Sequence, residues 1–344
     1  MGSGIWNVDT YARTASVKKA TGTPDFAYSK ATMAAPAASR KIHPNLDPMG
    51  VKVRESRDSD EHPDSVAVAV FFDVTGSMGG IPVVLQKKLP TLMGTVLRKG
   101  YLADPQILFG AVGDATCDQM PLQVGQFESD NRADENLELI VLEGGGGGGN
   151  HESYELAAYF LAHHTAIDCF EKRGRKGYAF FIGDERLYAR VSRDQVARLI
   201  GTNPQADLDT RDLFRELQER YEVFFLFAKE GSYQPEQVIE ESASGGGALG
   251  WKEVLPQNTL VLDSAEAVCE AIALAIGVNE GVVDVDTGVR DLVDMGASET
   301  AARSAGTALS TYVATVGAKG ALATVDDEEG ALATSGASGG ATRL

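Results

Sequence analysis

The sequence predicts an α/β fold built on a mostly parallel, doubly wound six-stranded sheet, and three observations predict it. Short apolar runs recur, beginning with Val66–Phe72 (VAVAVFF), whose unbroken hydrophobicity suits a strand covered on both faces. These runs alternate with segments of helical period, the order expected of a parallel sheet with crossover helices. Several of them stop abruptly at an acid, as at Asp73, Asp114, Glu143 and Asp184. In open sheets of this kind, functional loops gather at the carboxyl ends of the strands.

The elements follow in order. A helix is expected from Pro82 to about Lys99, with proline tolerated in the first turn, where its missing N–H costs nothing. QILFGAVGD (Gln106–Asp114) is the second expected strand and LELIVLE (Leu137–Glu143) the third. A helix is expected from Glu152 to about Phe170, with Tyr154, Ala158, Leu161 and Thr165 at helical spacing. YAFFIGDE (Tyr178–Glu185) is the fourth strand. Helices near Arg193–Ile200 and Thr210–Tyr221 precede the fifth, EVFFLFA (Glu222–Ala228). PEQVIEESA reads as a helix. TLVLDSAEAVCEAIALAIG then joins a sixth strand to a helix capped by Asp263 or Ser264.

Four regions are expected: an N-terminal arm over 1–64, partly disordered; the α/β domain over 65–277; a helical extension over 278–318; and a disordered Gly/Ala/Ser-rich tail over 319–344. Within the arm a short helix is possible around Val8–Ala20, with Trp6 and Tyr11 as anchors.

The chain has 344 residues, 43% of them hydrophobic, so it can bury a substantial core. Its formal net charge of −18 repels phosphate backbones, and no nucleic-acid partner is expected. The one basic cluster, Lys172, Arg173, Arg175 and Lys176, reads as a solvated loop between a helix and a strand. Cys117, Cys169 and Cys269 are widely spaced and odd in number, which argues against a disulfide framework or a structural zinc site. No run approaches the ~20 apolar residues of a membrane span, and MGSGIWNVDTYARTASVKKATG lacks the apolar core of a signal peptide. A cytoplasmic protein without membrane contact is the expectation.

The chemistry concentrates after the first strand. In FFDVTGSMGG, Asp73, Thr75 and Ser77 are spaced two apart in a turn that also holds Gly76, Gly79 and Gly80, and all three offer hard oxygen donors. The residues also fit a simpler role, with Asp73 as a helix N-cap and Thr75 and Ser77 as turn formers. The pattern Asp73-x-Thr75-x-Ser77 resembles the first loop of the von Willebrand factor A domain family, intracellular bacterial type. In that family, Asp-x-Ser-x-Ser after the first buried strand forms part of a metal-ion-dependent adhesion site. The resemblance covers roughly Ser65–Gly277 and includes FFDVTGSM, FFIGDE and the strand–helix order.

It implies a Rossmann-like fold and a Mg²⁺ (or Mn²⁺) ion held by Asp73, Thr75, Ser77 and, from the loop after the fourth strand, Asp184. Magnesium prefers octahedral oxygen ligation and keeps several waters, which suits few protein charges. The family's second loop carries Gly-Gly-Thr. Here it is EGGGGGGNHESYELAAY, without threonine, and aligning the helix puts Glu152 or Asn150 nearest the missing ligand. The run Gly144–Gly149 allows either a close backbone approach to the rim or a flexible link without ligands. Asp114 and His151 are candidates for supporting or partner contacts, Asp114 fitting an Asx-turn equally well.

The function so implied is metal-dependent binding of a protein partner that offers an exposed Asp or Glu, in a scaffold role. The alternatives are a metal-dependent hydrolase of a phosphorylated substrate and a structural subunit of a homo-oligomer. The glycine run lacks the Lys-Ser/Thr of a phosphate-binding loop, and Thr75 stands where a haloacid-dehalogenase-type phosphatase needs a second Asp. Cys169 lies five and six residues from His164 and His163, a helical spacing that points the side chains to different faces.

Overall fold

The structure, a computed structural model, describes residues 4–76, 78, 80–144, 149–229, 233–240 and 247–314. Ser77, most of the glycine run and the tail expected over 319–344 lie outside the described residues.

The centre is a six-stranded sheet. Its strands are β1 (Ser65–Asp73), β2 (Asp104–Val112), β3 (Leu122–Val124), β4 (Gly177–Gly183), β5 (Tyr221–Ala228) and β6 (Thr259–Leu262). They lie in the order β6-β5-β4-β1-β2-β3, and every pairing is parallel except β2 with β3. All nine residues of β1 are buried. Successive side chains along a strand face opposite ways, so Val66, Val68, Val70 and Phe72 enter one apolar cluster and Ala67, Ala69 and Phe71 the other.

Helices cover both faces. On the first lie α2 (Ile81–Arg98), α3 (Arg132–Glu138), α6 (Val268–Asn279) and residues of a helix over 299–314. On the second lie α4 (Tyr154–His163) and α5 (Thr210–Arg220), with Trp251. α7 (Val285–Asp294) packs against α6 and α2. Among the described residues no helix is long and apolar enough to cross a membrane.

The helix expected to be capped by Asp263 or Ser264 instead starts at Val268, after a 3₁₀ turn over Ala265–Ala267, with no side-chain cap. Two further expected elements differ. Leu137–Glu143 is not a strand: α3 runs into it, and the third place in the sheet goes to β3, antiparallel at the edge. The reason is the buried Gln123 on β3. Its amide donates to the Val141 carbonyl and accepts from the Val141 N–H, both at 2.8 Å, standing in for a ladder partner. Ile140 and Val141 are therefore fully buried without pairing as a strand, which explains their strand-like hydrophobicity. The long helix expected to run to Phe170 instead ends at His163. Thr165–Ile167 then pairs in parallel with Arg54–Ser56, and a short helix follows over Asp168–Arg173.

N-terminal to the sheet, α1 (Val8–Thr21) is capped by the Asn7 side chain and stopped by Gly22, whose φ of 70° suits glycine. No residue of α1 is buried. It is held by Trp6, whose indole donates to Asp134 Oδ1 at 2.9 Å, and by Tyr11, whose hydroxyl donates to the Gln86 carbonyl at 2.8 Å. The basic cluster is taken up by acids: Lys172 and Arg173 reach Asp58, Arg175 reaches Asp64 and Glu280, and Lys176 reaches Glu222.

Candidate metal centre

Three adjacent strand ends set the site. β1 lies between β4 and β2, in register Phe72 to Ile182 and Asp73 to Val112. Asp73 therefore closes β1 beside Gly183, Asp184 and Glu185 follow β4, and Asp114 follows β2 by two residues. A small second sheet, over the carboxyl ends, adds a fourth contribution. In it His151–Glu152 pairs in parallel with Arg186–Tyr188, which pairs antiparallel with Ala248–Leu249. This sheet holds Glu152 next to the loop that carries Glu185.

Asp73, Asp184 and Glu185 form a compact cluster, with one carboxylate oxygen from each lying within 4.8 Å of the others. Asp73 and Asp184 are fully buried and Glu185 is 8% exposed. Asp73 Oδ1 accepts the Thr75 N–H at 2.6 Å, which shapes the turn. Its other oxygen has no hydrogen-bond partner, and neither has the buried Thr75 hydroxyl nor Glu152 Oε2. Asp73 does not cap the following helix, whose N-cap is Gly80 without a side-chain bond.

The electrostatics follow from burial and crowding. Burial, then the charges of Asp73 and Asp184, pushes the Glu185 carboxyl up to about 8. The Asp73 carboxyl is raised by burial and by Asp184 and Asp118, against the Thr75 amide and the neighbouring Thr75 hydroxyl. Glu152 is raised by burial, then by Asp73 and Glu185. Among the described residues, none of Asp73, Glu152 and Glu185 is paired with a Lys or Arg side chain. Buried like charges this close hold protons or gather a cation.

The structure thus brings together Asp73, Thr75 and Asp184 from the sequence-based set, with Glu152 beside them but outside the compact trio. Ser77 lies outside the described residues. Asn150 is half-buried, and its carbonyl accepts the Arg186 N–H. His151 stacks on Tyr188, ring centroids 5.3 Å apart. Asp114 is engaged in its own loop: Oδ1 accepts from the Thr116 N–H and hydroxyl at 2.8 and 2.7 Å and from the Tyr188 hydroxyl at 3.1 Å.

Sequence reasoning missed Glu185, although a second acid directly after Asp184 was there to be read. It also missed the scaffold beneath. The Trp251 indole donates to the Glu185 carbonyl at 2.9 Å and stacks on Phe225 at 3.9 Å. Tyr154 meets Trp251 edge-on at 5.0 Å, and its fully buried hydroxyl has no partner. It sits so close over Gly183 that a Cβ there would lie 1.8 Å from it.

The fit to a hard divalent cation rests on this donor set. It is all oxygen, acidic and buried, and it includes atoms without partners.

No protein-family model matches the chain, and no curated protein matches it. Solved structures give distant likenesses. The pilus adhesin SpaC from Lactobacillus rhamnosus GG, in an open conformation, aligns at 9% identity and a TM-score of 0.38, covering 70% of this chain and 31% of that one. Proximal thread matrix protein 1 from the mussel byssus aligns at 9% and 0.37, covering 68% and 47%. The chain therefore spans less than half the length of either. The conserved hypothetical protein BatB from Bacteroides thetaiotaomicron aligns at 14% and 0.36, covering 63% of this chain and 100% of that one.

Proposed function

We propose that the chain is a divalent-cation-dependent protein-interaction module of the von Willebrand factor A type, with a doubly wound sheet and its binding site at the carboxyl rim. One observation carries this reading: the buried acid oxygens of Asp73, Asp184 and Glu185 converge at the rim, where Asp73 Oδ2, Thr75 Oγ1 and Glu152 Oε2 have no partner. Asp73, Asp184 and Glu185 would hold the ion, with Thr75 and Glu152 beside it. When bound, the cation supplies a positive centre able to accept an outside oxygen. The chain's own residues fix that centre at the ends of the sheet strands, while the Cys117 thiol faces Asp114 and His151 stacks on Tyr188. The partner chemistry that fits is an exposed Asp or Glu side chain on another protein.

Calorimetric titration of metal-stripped protein with Mg²⁺ and Mn²⁺ tests this, with Asp73→Asn as the control. Saturable one-site binding, lost in the variant, is the expected result, with retention on an immobilised Glu-rich peptide only when metal is present. No saturable binding in the unaltered chain refutes it. Turnover of a phosphoester that disappears in Asp73→Asn would move the assignment to a metal-dependent hydrolase.

A further inference from the structure

We infer that the rim site selects a calcium-sized cation over magnesium, and that Glu185 sets this preference. The inference rests on the reading of the rim as a cation site and adds which cation it takes. The sequence-based expectation of Mg²⁺ or Mn²⁺ counted the carboxylates of Asp73 and Asp184, with Glu152 or Asn150 in place of the missing threonine and with hydroxyls and water completing the shell. The structure changes the count. Glu185 joins as a third carboxylate within the same 4.8 Å group, and Glu152, 2% exposed with a free oxygen, stands beside it.

Magnesium dehydrates reluctantly, demands octahedral ligands at about 2.1 Å, and is usually held by one or two carboxylates plus waters. Calcium takes six to eight oxygens at about 2.3–2.6 Å, accepts carboxylates with one or both oxygens, and tolerates irregular geometry. A trio of buried carboxylates, with an unpartnered hydroxyl at Thr75, is a protein-built shell that asks the ion to shed water. That is costly for magnesium and ordinary for calcium.

The rest of the rim argues the same way. Softer metals would draw on sulfur or imidazole nitrogen. The Cys117 thiol instead faces Asp114 and Asp118, at 3.4 and 3.7 Å, and His151 stacks on Tyr188. The higher coordination number of calcium also leaves places for an outside oxygen after the chain's own donors are counted, so three acids remain compatible with partner capture.

The test is calorimetry on the full chain stripped with chelator, titrated separately with Ca²⁺, Mg²⁺ and Mn²⁺, on the unaltered protein and on Glu185→Gln. The expected result is Ca²⁺ binding at least tenfold tighter than Mg²⁺. In Glu185→Gln, Ca²⁺ affinity should fall about tenfold or more while Mg²⁺ affinity changes less, so that the ratio closes toward one. A thermal melt of each protein in chelator checks that the variant is folded. Terbium luminescence excited through Tyr154 and Trp251 gives an independent readout of occupancy. Magnesium binding as tightly as calcium, or an unchanged ratio in Glu185→Gln, overturns this inference and leaves the cation site standing. Failure of all three metals and of terbium overturns the underlying reading as well.

Discussion

Replacing Glu185 by Gln should stabilise the metal-free protein and lose about 1.3 kcal/mol of that advantage in saturating metal. Glutamine keeps the volume and removes the charge. The Glu185 carboxylate lies within 4.8 Å of those of Asp73 and Asp184. At that distance and an effective dielectric near 20, Coulomb's law gives roughly 3 kcal/mol of repulsion per fully ionised pair. The cluster lowers this cost by taking up protons, as the raised Glu185 carboxyl shows. The expected gain at pH 8 in chelator is therefore about 1–3 kcal/mol.

A saturating cation narrows that difference. Ligand at a hundred times its dissociation constant stabilises the native state by about 2.7 kcal/mol, and a variant binding tenfold more weakly gains only about half of that. Urea unfolding of both proteins, in chelator and in excess Ca²⁺, measures both effects. If Glu185→Gln is less stable than the unaltered chain in chelator, the acids are not repelling one another, and the cation argument loses its electrostatic basis.

Three more predictions draw on neighbouring features. Tyr154→Phe removes a buried hydroxyl without a partner and should be neutral or stabilising by up to about 1 kcal/mol, whereas Gly183→Ala forces a Cβ onto that hydroxyl and should cost more than about 2 kcal/mol, much of it recovered in the double variant; additive costs in the four urea midpoints would refute the contact. Trp251→Phe loses the bond to the Glu185 carbonyl and part of the stack on Phe225, and should cost about 2–3 kcal/mol while weakening metal binding several-fold; unchanged binding by calorimetry would show that Trp251 only fills the core. Burial pushes the Asp134 carboxyl, the acceptor of the Trp6 indole, from 3.8 up to about 6. The folded state then binds a proton that the unfolded state releases, so this contribution is fully present below pH 3.8 and is lost as pH rises through about 6. It amounts to about 1–2 kcal/mol after allowance for partial exposure, and Asp134→Asn should abolish that part of the slope in urea midpoints measured from pH 4 to 7.5.

What the sequence made legible were the features that a single residue pattern encodes. β1, β4 and β5 each carry an unbroken apolar run, because strands covered on both faces have no polar alternation, while β2 and β6 carry shorter apolar runs. The acid at the end of such a run was equally visible, and Asp73 and Asp184 meet because their strands are neighbours. The edge was not legible. Ile140 and Val141 look like strand residues because they are buried, but their backbone is satisfied by the Gln123 amide, a long-range contact without a local signature. β3 is only three residues long, too short to show a period.

The same distinction explains why Glu185 was passed over. In the sequence it falls at the last place of an expected strand, where alternation would turn it away from Asp184. In the structure β4 ends at Gly183, so Asp184 and Glu185 lie in a turn, and consecutive side chains there are free to converge. The turn is held open by contacts remote in sequence: Tyr154 pressed on Gly183 from one side, and the Trp251 indole on the Glu185 carbonyl from the other. The third rim charge, on Glu185, is thus placed by tertiary packing outside the Asp-x-Thr-x-Ser pattern. That pattern together with Asp184 supplies two carboxylates, a set suited to magnesium. The folded site gathers three, with Glu152 beside them, and on the proposed reading a cation willing to lose its water is the counter-charge that suits such a rim.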